Sequence, residues 1–167
     1  MALNAYLKLK GQKQGVIKGS VTQKGREGKI MVIAVSHEIV SPRDAASGQA
    51  TGKRQHKPFT ITKEIDKSTP LLYKALVSNE NITTWELQFF RPSTMGLPST
   101  GAEVNHYTVV LTNAKIVDIK STMLNNKNPE LVKFAEYEEV AFTYQKIEWT
   151  WVVDGISASD DWEAPVV

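Results

Sequence analysis

The sequence predicts a mainly β protein, an antiparallel β-barrel or two-sheet sandwich of about eight strands with one short flanking α-helix. Three observations carry this. Most apolar stretches alternate with polar residues, the period of a strand with one buried face. A single stretch, near Pro70–Ser78, has apolar residues at helical spacing. Short clusters rich in Gly, Pro and Asn separate the remaining segments, as turns and loops require. The 167 residues suit one domain over 1–167, long enough to bury roughly two thirds of the unfolded surface.

In chain order, Leu3, Ala5, Leu7 and Leu9 alternate with Asn4, Tyr6, Lys8 and Lys10 and predict a first strand with one solvated face. Val16, Ile17 and Val21 suggest a short strand inside a glycine-rich segment. Lys29 to Val40 is apolar on both parities, which predicts a strand covered on both faces, by a helix, a central sandwich position or a neighbouring subunit. Ser41–Lys57 is small, polar and basic, a long exposed loop of the kind that carries function. Phe59, Ile61, Lys63 and Ile65 then share one face of a strand. Thr69 and Pro70 suit a capped helix start, Leu72, Ala75 and Leu76 form its packing face, and Asn79 terminates it.

Asn81–Phe90 is a strand with Trp85, Leu87 and Phe89 on one side. Arg91–Ala102, with two prolines and two glycines, is a loop. Glu103–Thr112 and Ala114–Met123 meet at Asn113, through a tight turn or as one bent strand. In the last long strand, Val140, Phe142 and Tyr144 share a face before the apolar set changes parity to Ile147, Trp149 and Trp151. Such a phase shift predicts a β-bulge at Gln145–Lys146 that bends the strand round a corner. Ile156 onward is a short strand or tail.

Composition excludes several classes. Twenty basic against eighteen acidic residues leave a formal charge of +2, so bulk charge gives no reason to expect nucleic-acid binding. The absence of cysteine removes disulfides and thiolate metal sites. No apolar run reaches the roughly twenty residues of a bilayer span, and Lys8 and Lys10 interrupt what would be a signal core. The expectation is therefore cytoplasmic synthesis without a signal peptide and no membrane insertion.

No catalytic constellation emerges. His37, His56 and His106 lack metal-ligand spacing, and no metal or cofactor is expected. Gly48–Lys53 has three residues between its glycines instead of four, with Arg54 where a phosphate loop needs Ser or Thr. Glu138 and Glu139 are adjacent on a strand and point to opposite faces, so they are unsuited to shared acid–base work. The basic cluster Lys53, Arg54, His56 and Lys57 has no interleaved aromatic, so a solvated loop or a docking surface for an acidic patch ranks above nucleic acid. Trp85, Phe89, Phe142 and Tyr144 leave one alternative open, a monomeric carrier barrel holding a small apolar ligand.

The run TGKRQHKPFTITKEIDKSTPLLYKAL (Thr51–Leu76) resembles the signature of the Hcp (haemolysin-coregulated protein) family, the tube subunits of type VI secretion systems. Similar matches occur at Ala5–Leu7, Arg26–Gly28, Tyr107–Ile119, Glu138–Trp151 and Asp160–Trp162, covering nearly the whole chain. The resemblance implies a non-enzymatic homo-hexameric ring, stacked into a hollow tube inside a contractile sheath and capped by a spike protein. Such proteins are secreted without a cleavable signal and carry effector proteins in the lumen. On that reading Arg43, Asp44, Lys53, Arg54 and His56 belong to a subunit or ring contact loop, and Ser36 is a candidate for the lumen surface.

Overall fold

The computed structural model describes residues 2–93 and 102–163. The strands are β1 (Ala5–Gly11), β2 (Gly15–Ile17), β3 (Ile30–Val32), β4 (Ala34–Ser36), β5 (Ile39–Val40), β6 (Gln55–His56) and β7 (Phe59–Glu64). After the helix α1 (Thr69–Val77) come β8 (Ile82–Pro92), β9 (Glu103–Thr112), β10 (Lys115–Thr122), β11 (Tyr137–Thr143), β12 (Lys146–Trp151) and β13 (Ile156–Asp161). A seven-stranded antiparallel sheet runs β13-β12-β9-β8-β1-β2, with β3 pairing beside β2 on β1. A four-stranded sheet runs β10-β11-β7-β4, and β5 and β6 form a separate two-stranded ribbon. Of the two architectures the sequence allowed, the structure is the sandwich: no ladder closes the sheets into a barrel among the described residues.

Among the described residues the predicted eight strands are thirteen because several long runs change sheet partway. Lys29–Val40 is the clearest case. It is not one strand covered twice: β3 pairs with β1 in the large sheet, Ile33 bonds to Thr62, and β4 pairs with β7 in the small sheet. Ile30 and Val32 enter the core, whereas Ile33 and Val35 remain exposed, with no helix over them among the described residues. The crossing at Asn113 is similar, a sharp turn at a positive φ of 51° that carries the chain from β9 to β10 in the opposite sheet. At Tyr144–Gln145 the predicted phase shift is a full strand break, with β11 in the small sheet and β12 in the large one. Most of the Arg91–Ala102 loop lies outside the described residues, its first two residues belonging to β8.

The core between the sheets is built as the alternation required. Leu7, Leu9, Trp85, Leu87, Val109, Leu111 and Ile147 face Phe59, Ile61, Val140 and Phe142. Tyr6, placed by parity on the solvated face, is nevertheless buried. The Arg26 guanidinium stacks 4.8 Å from its ring centroid and 3.7 Å from that of Phe90, and forms a 2.6 Å ion pair with Glu103. That sandwich fastens the 18–29 loop over β1 and β8.

Helix α1 starts differently from the sequence expectation. Ser68 occupies the N-cap without a side-chain cap bond. The Thr69 hydroxyl instead accepts from the Asp66 backbone N–H and donates to Glu138, tying the helix start to the small sheet. Leu72 and Ala75 are buried and Leu76 is half-buried against the core. Asn79, at φ 51°, ends the helix, and the Glu80 N–H returns to the Ala75 carbonyl at 2.9 Å.

Gly19 sits where two backbones nearly touch. A Cβ there would lie 2.4 Å from the Lys29 carbonyl oxygen and 2.6 Å from the Ile30 Cα, neither of which can swing away. Gly19→Ala is expected to lose about 1–3 kcal/mol and lower the melting temperature by roughly 3–10 °C by differential scanning calorimetry. An unchanged transition would show that the 18–29 loop yields freely.

Candidate functional site

The segment between β4 and β7 forms an arm. Its two limbs, β5 and β6, pair only with one another, through Ile39↔His56 and Val40↔Gln55. The pairing continues outward by the Arg43↔Ala50 bridge and a 3.1 Å bond from the Thr51 N–H to the Pro42 carbonyl. Asp44 closes the tip. Its Oδ1 accepts from the Ser47 N–H at 2.7 Å, the Ser47 hydroxyl at 2.8 Å and the Ala46 N–H at 3.1 Å, and these bonds hold its carboxyl below the usual range. The predicted loop is therefore a ribbon with a built turn.

Arg43, Asp44 and Lys53 are exposed along the arm. Arg54 and His56 are not at the tip. They sit at the root, and both bind Asp160 of β13. Arg54 reaches its carboxylate through Nε at 2.5 Å and Nη2 at 2.8 Å, and donates to the Asp161 carbonyl at 2.9 Å. The His56 side chain, 2% exposed, places Nε2 2.7 Å from Asp160 Oδ2 and Nδ1 2.8 Å from the Tyr144 hydroxyl. His37, just before β5, places Nε2 2.7 Å from that same hydroxyl. The Trp162 indole N–H donates to the Tyr144 carbonyl.

These charges shift one another. Hydrogen bonding from Arg54, then from His56, outweighs burial and holds the Asp160 carboxyl below its usual range. Burial pushes the Tyr144 phenol up, with the Asp160 charge adding to it. Burial, then the charge of His56, holds His37 below the ordinary histidine value. Sequence reasoning placed Arg54 and His56 on the arm but missed Asp160, Tyr144 and His37 as their partners. More than a hundred residues separate Arg54 from Asp160, and no local spacing announces the pairing.

Ser36 is exposed at the open edge of the small sheet. Register puts it on the sheet face turned away from the core, together with Ala34, Thr60, Thr62, Glu139 and Lys120. That face is small and polar. The aromatics considered as a ligand lining fill the interior instead: Trp85 packs edge-on against Phe59 at 5.0 Å and Phe142 at 5.6 Å, and Phe89 lies against Tyr107. Among the described residues no cluster of acidic or His side chains forms a metal site, and no helix is long and apolar enough to cross a membrane.

Comparison with known proteins places this architecture. A family model described as "Type VI secretion system effector, Hcp" matches residues 6–151. The "Major exported protein" of Pseudomonas aeruginosa is 45% identical over 99% of both chains. A crystal structure of an Hcp protein superposes with a TM-score of 0.85 at 35% identity, over 96% of this chain and 100% of that one. The secreted protein Hcp3 from Pseudomonas aeruginosa superposes with a TM-score of 0.75 at 38% identity, over 96% and 99% respectively. The fold thus recurs in proteins alike along their full length, and the chain belongs to the Hcp family of type VI secretion systems.

Proposed function

We propose that the chain is the structural subunit of a type VI secretion inner tube. Six copies close into a ring, rings stack into a hollow conduit within the contractile sheath and beneath the spike, and the assembly is exported with effector proteins in its lumen. The observation that carries this reading is the match to the Hcp model over residues 6–151. The name of the Pseudomonas aeruginosa relative, a major exported protein, supports export.

The molecular surface agrees with a building block. Ile33 beside the small-sheet edge strand is 47% exposed, Val35 within it 37% and Ile39 on the arm 37%, apolar side chains that the described residues leave uncovered. A second copy is the natural cover, because a heterologous contact repeated around a rotation closes into a ring. The polar face bearing Ser36 then looks into the lumen, while Arg43, Asp44 and Lys53 on the arm meet the neighbouring subunit or ring. The packed aromatic interior keeps the unit rigid and disfavours the carrier alternative.

Size-exclusion chromatography with light scattering tests the ring. Six copies of the 18.6 kDa chain are expected, each seam burying more than about 1,000 Å². A monomer at micromolar concentration would overturn the proposal. The arm is tested separately by Arg43→Glu combined with Lys53→Glu. Both side chains are exposed, so the melting curve should stay within about 1 °C of the parent. Stacked tubes in electron micrographs should be lost. Tubes of normal length would remove the arm from the axial contact.

A further inference from the structure

Five side chains from three distant segments meet at the root of the arm in an unbroken hydrogen-bonded chain: His37, Tyr144, His56, Asp160 and Arg54. We propose that this chain is a proton-sensitive latch that holds the arm against the sandwich at neutral pH and releases it in mild acid. The latch is intrachain and stands whether or not rings form; its consequence for stacking rests on the tube reading above.

The arm needs such a fastening. Its ribbon shares no ladder with either sheet, so its orientation depends on the side chains at its root. His37 lies at the base of one limb and His56 in the other, and both converge on the hydroxyl at the corner where β11 gives way to β12. Asp160 then carries the connection to β13.

The proton arithmetic is constrained. Asp160 already accepts two bonds from Arg54 and is therefore an ionised acceptor, so His56 must donate to it from Nε2. The buried phenol of Tyr144 keeps its single proton. With both histidines neutral, His37 Nε2–H donates to the hydroxyl and the hydroxyl donates to His56 Nδ1. One added proton is absorbed without loss: His56 carries it beside Asp160, the hydroxyl turns to donate to His37, and His37 changes tautomer. A second proton has no such arrangement. Both ring nitrogens then present N–H to one oxygen, the Tyr144 proton has no acceptor in the chain, and two imidazolium ions share one site.

The other groups do not relieve that state. The titratable and charged residues of the cluster are Tyr144, Asp160, Asp161 and Arg54. Asp161 is engaged by Gln145 through its side chain, and Arg54 is itself a cation. Phe59 from β7 and Trp162 add only ring faces, at 4.9 Å from His37 and 5.9 Å from His56. Because His37 is held below the ordinary histidine value, the unfolded or released arm binds the proton more readily than the latched one. The latch is fully effective above the ordinary value near pH 6.5 and weakens as pH falls through it towards the lower value of the latched state.

Hydrogen-exchange mass spectrometry on the whole protein as purified tests this, at about pH 8 and about pH 5.5 with intrinsic rates corrected. Amides of residues 39–57 should exchange roughly tenfold faster in acid while β1 and β8 keep their protection. Tyr144→Phe, which keeps the ring but removes the shared oxygen, should leave the arm unprotected at both pH values. His37→Gln offers an amide N–H to the hydroxyl but cannot titrate, and its arm should stay protected in acid. Equal protection of the parent arm at both pH values, acid release persisting in His37→Gln, a Tyr144→Phe arm identical to the parent, or loss of β1 and β8 protection at the same pH would each overturn the latch. Tube length by electron microscopy at the two pH values reads the consequence. Exchange as described with no rings at any pH would retain the latch and reject the tube.

Discussion

Lys63→Ala is expected to lose about 3–5 kcal/mol, because it strands the fully buried Glu138 carboxylate and loosens the hold on half-buried Asp66. The Lys63 side chain is 0% exposed on the inner face of β7. Its ammonium lies 2.6 Å from Glu138 Oε1 on β11 and 3.1 Å from Asp66, and donates to the Glu64 carbonyl and the Thr69 hydroxyl. The cluster joins the central pair of the small sheet to the start of α1, so the loss reaches beyond one strand. Glu138 Oε2 has no partner of its own, which leaves this carboxylate with little to fall back on once the ammonium is gone.

Two further measurements separate lost charge pairing from lost packing. Lys63→Met with Glu138→Leu removes both ions and fills the same volume, and should recover most of the stability lost by the single variant. The pH dependence should also change sign. In the parent, burial opposes ionisation of Asp66, but Ser68 and Lys63 together hold its carboxyl below the usual range. Its contribution is thus present above the ordinary carboxylate value near 4 and is lost as pH falls through and below it. Without Lys63 the burial of Asp66 is opposed by Ser68 alone, so the variant's deficit should shrink as pH falls from about 7 to about 5. Calorimetry at one fixed protein concentration checks both points, since oligomer dissociation shifts the transition. A deficit that does not shrink in acid would assign the cost to packing alone.

The contrast between Lys63 and Arg54 shows what the sequence holds. Parity alone puts Lys63 on the face of Phe59 and Ile61, and puts Glu138 on the face of Val140 and Phe142. Two opposite charges on inward parities are compatible with a buried pair, but only the structure brings them together across 75 residues. The phase shift at Gln145–Lys146 is legible because a residue count records on which side the core lies, but it implies a bulge in one strand where the chain changes sheet. Arg54 and His56 carry no such mark. They lie in a run without periodicity, and Asp160 lies in an exposed strand whose alternation is weak, so only the three-dimensional path brings them together. The single-strand reading of Lys29–Val40 failed because apolar residues on both parities have two causes. One is cover on both faces; the other is a run that changes sheet and leaves apolar side chains exposed at an edge.

Trp85→Ala should lose about 3–5 kcal/mol, and its response to small apolar ligands tests whether the interior is filled or receptive. Trp85 is 1% exposed and sits between Phe59 and Phe142 at the centre of the aromatic packing. Truncation opens an apolar cavity that the surrounding strands, fixed in register on both sides, cannot close. Trp85→Phe should cost much less, within about 1.5 kcal/mol, because the indole N–H finds no acceptor and removing it offsets part of the lost area. A dry cavity of this kind binds small apolar molecules, so benzene or indole at millimolar concentration should raise the melting temperature of Trp85→Ala and leave the parent unchanged. If the parent itself is stabilised, its interior accepts a ligand without mutation, and the monomeric carrier becomes the better account of the fold. A parent that ignores the ligand, beside a variant that binds it, means that the aromatic centre is occupied by its own side chains and that recognition belongs to the edges and the arm.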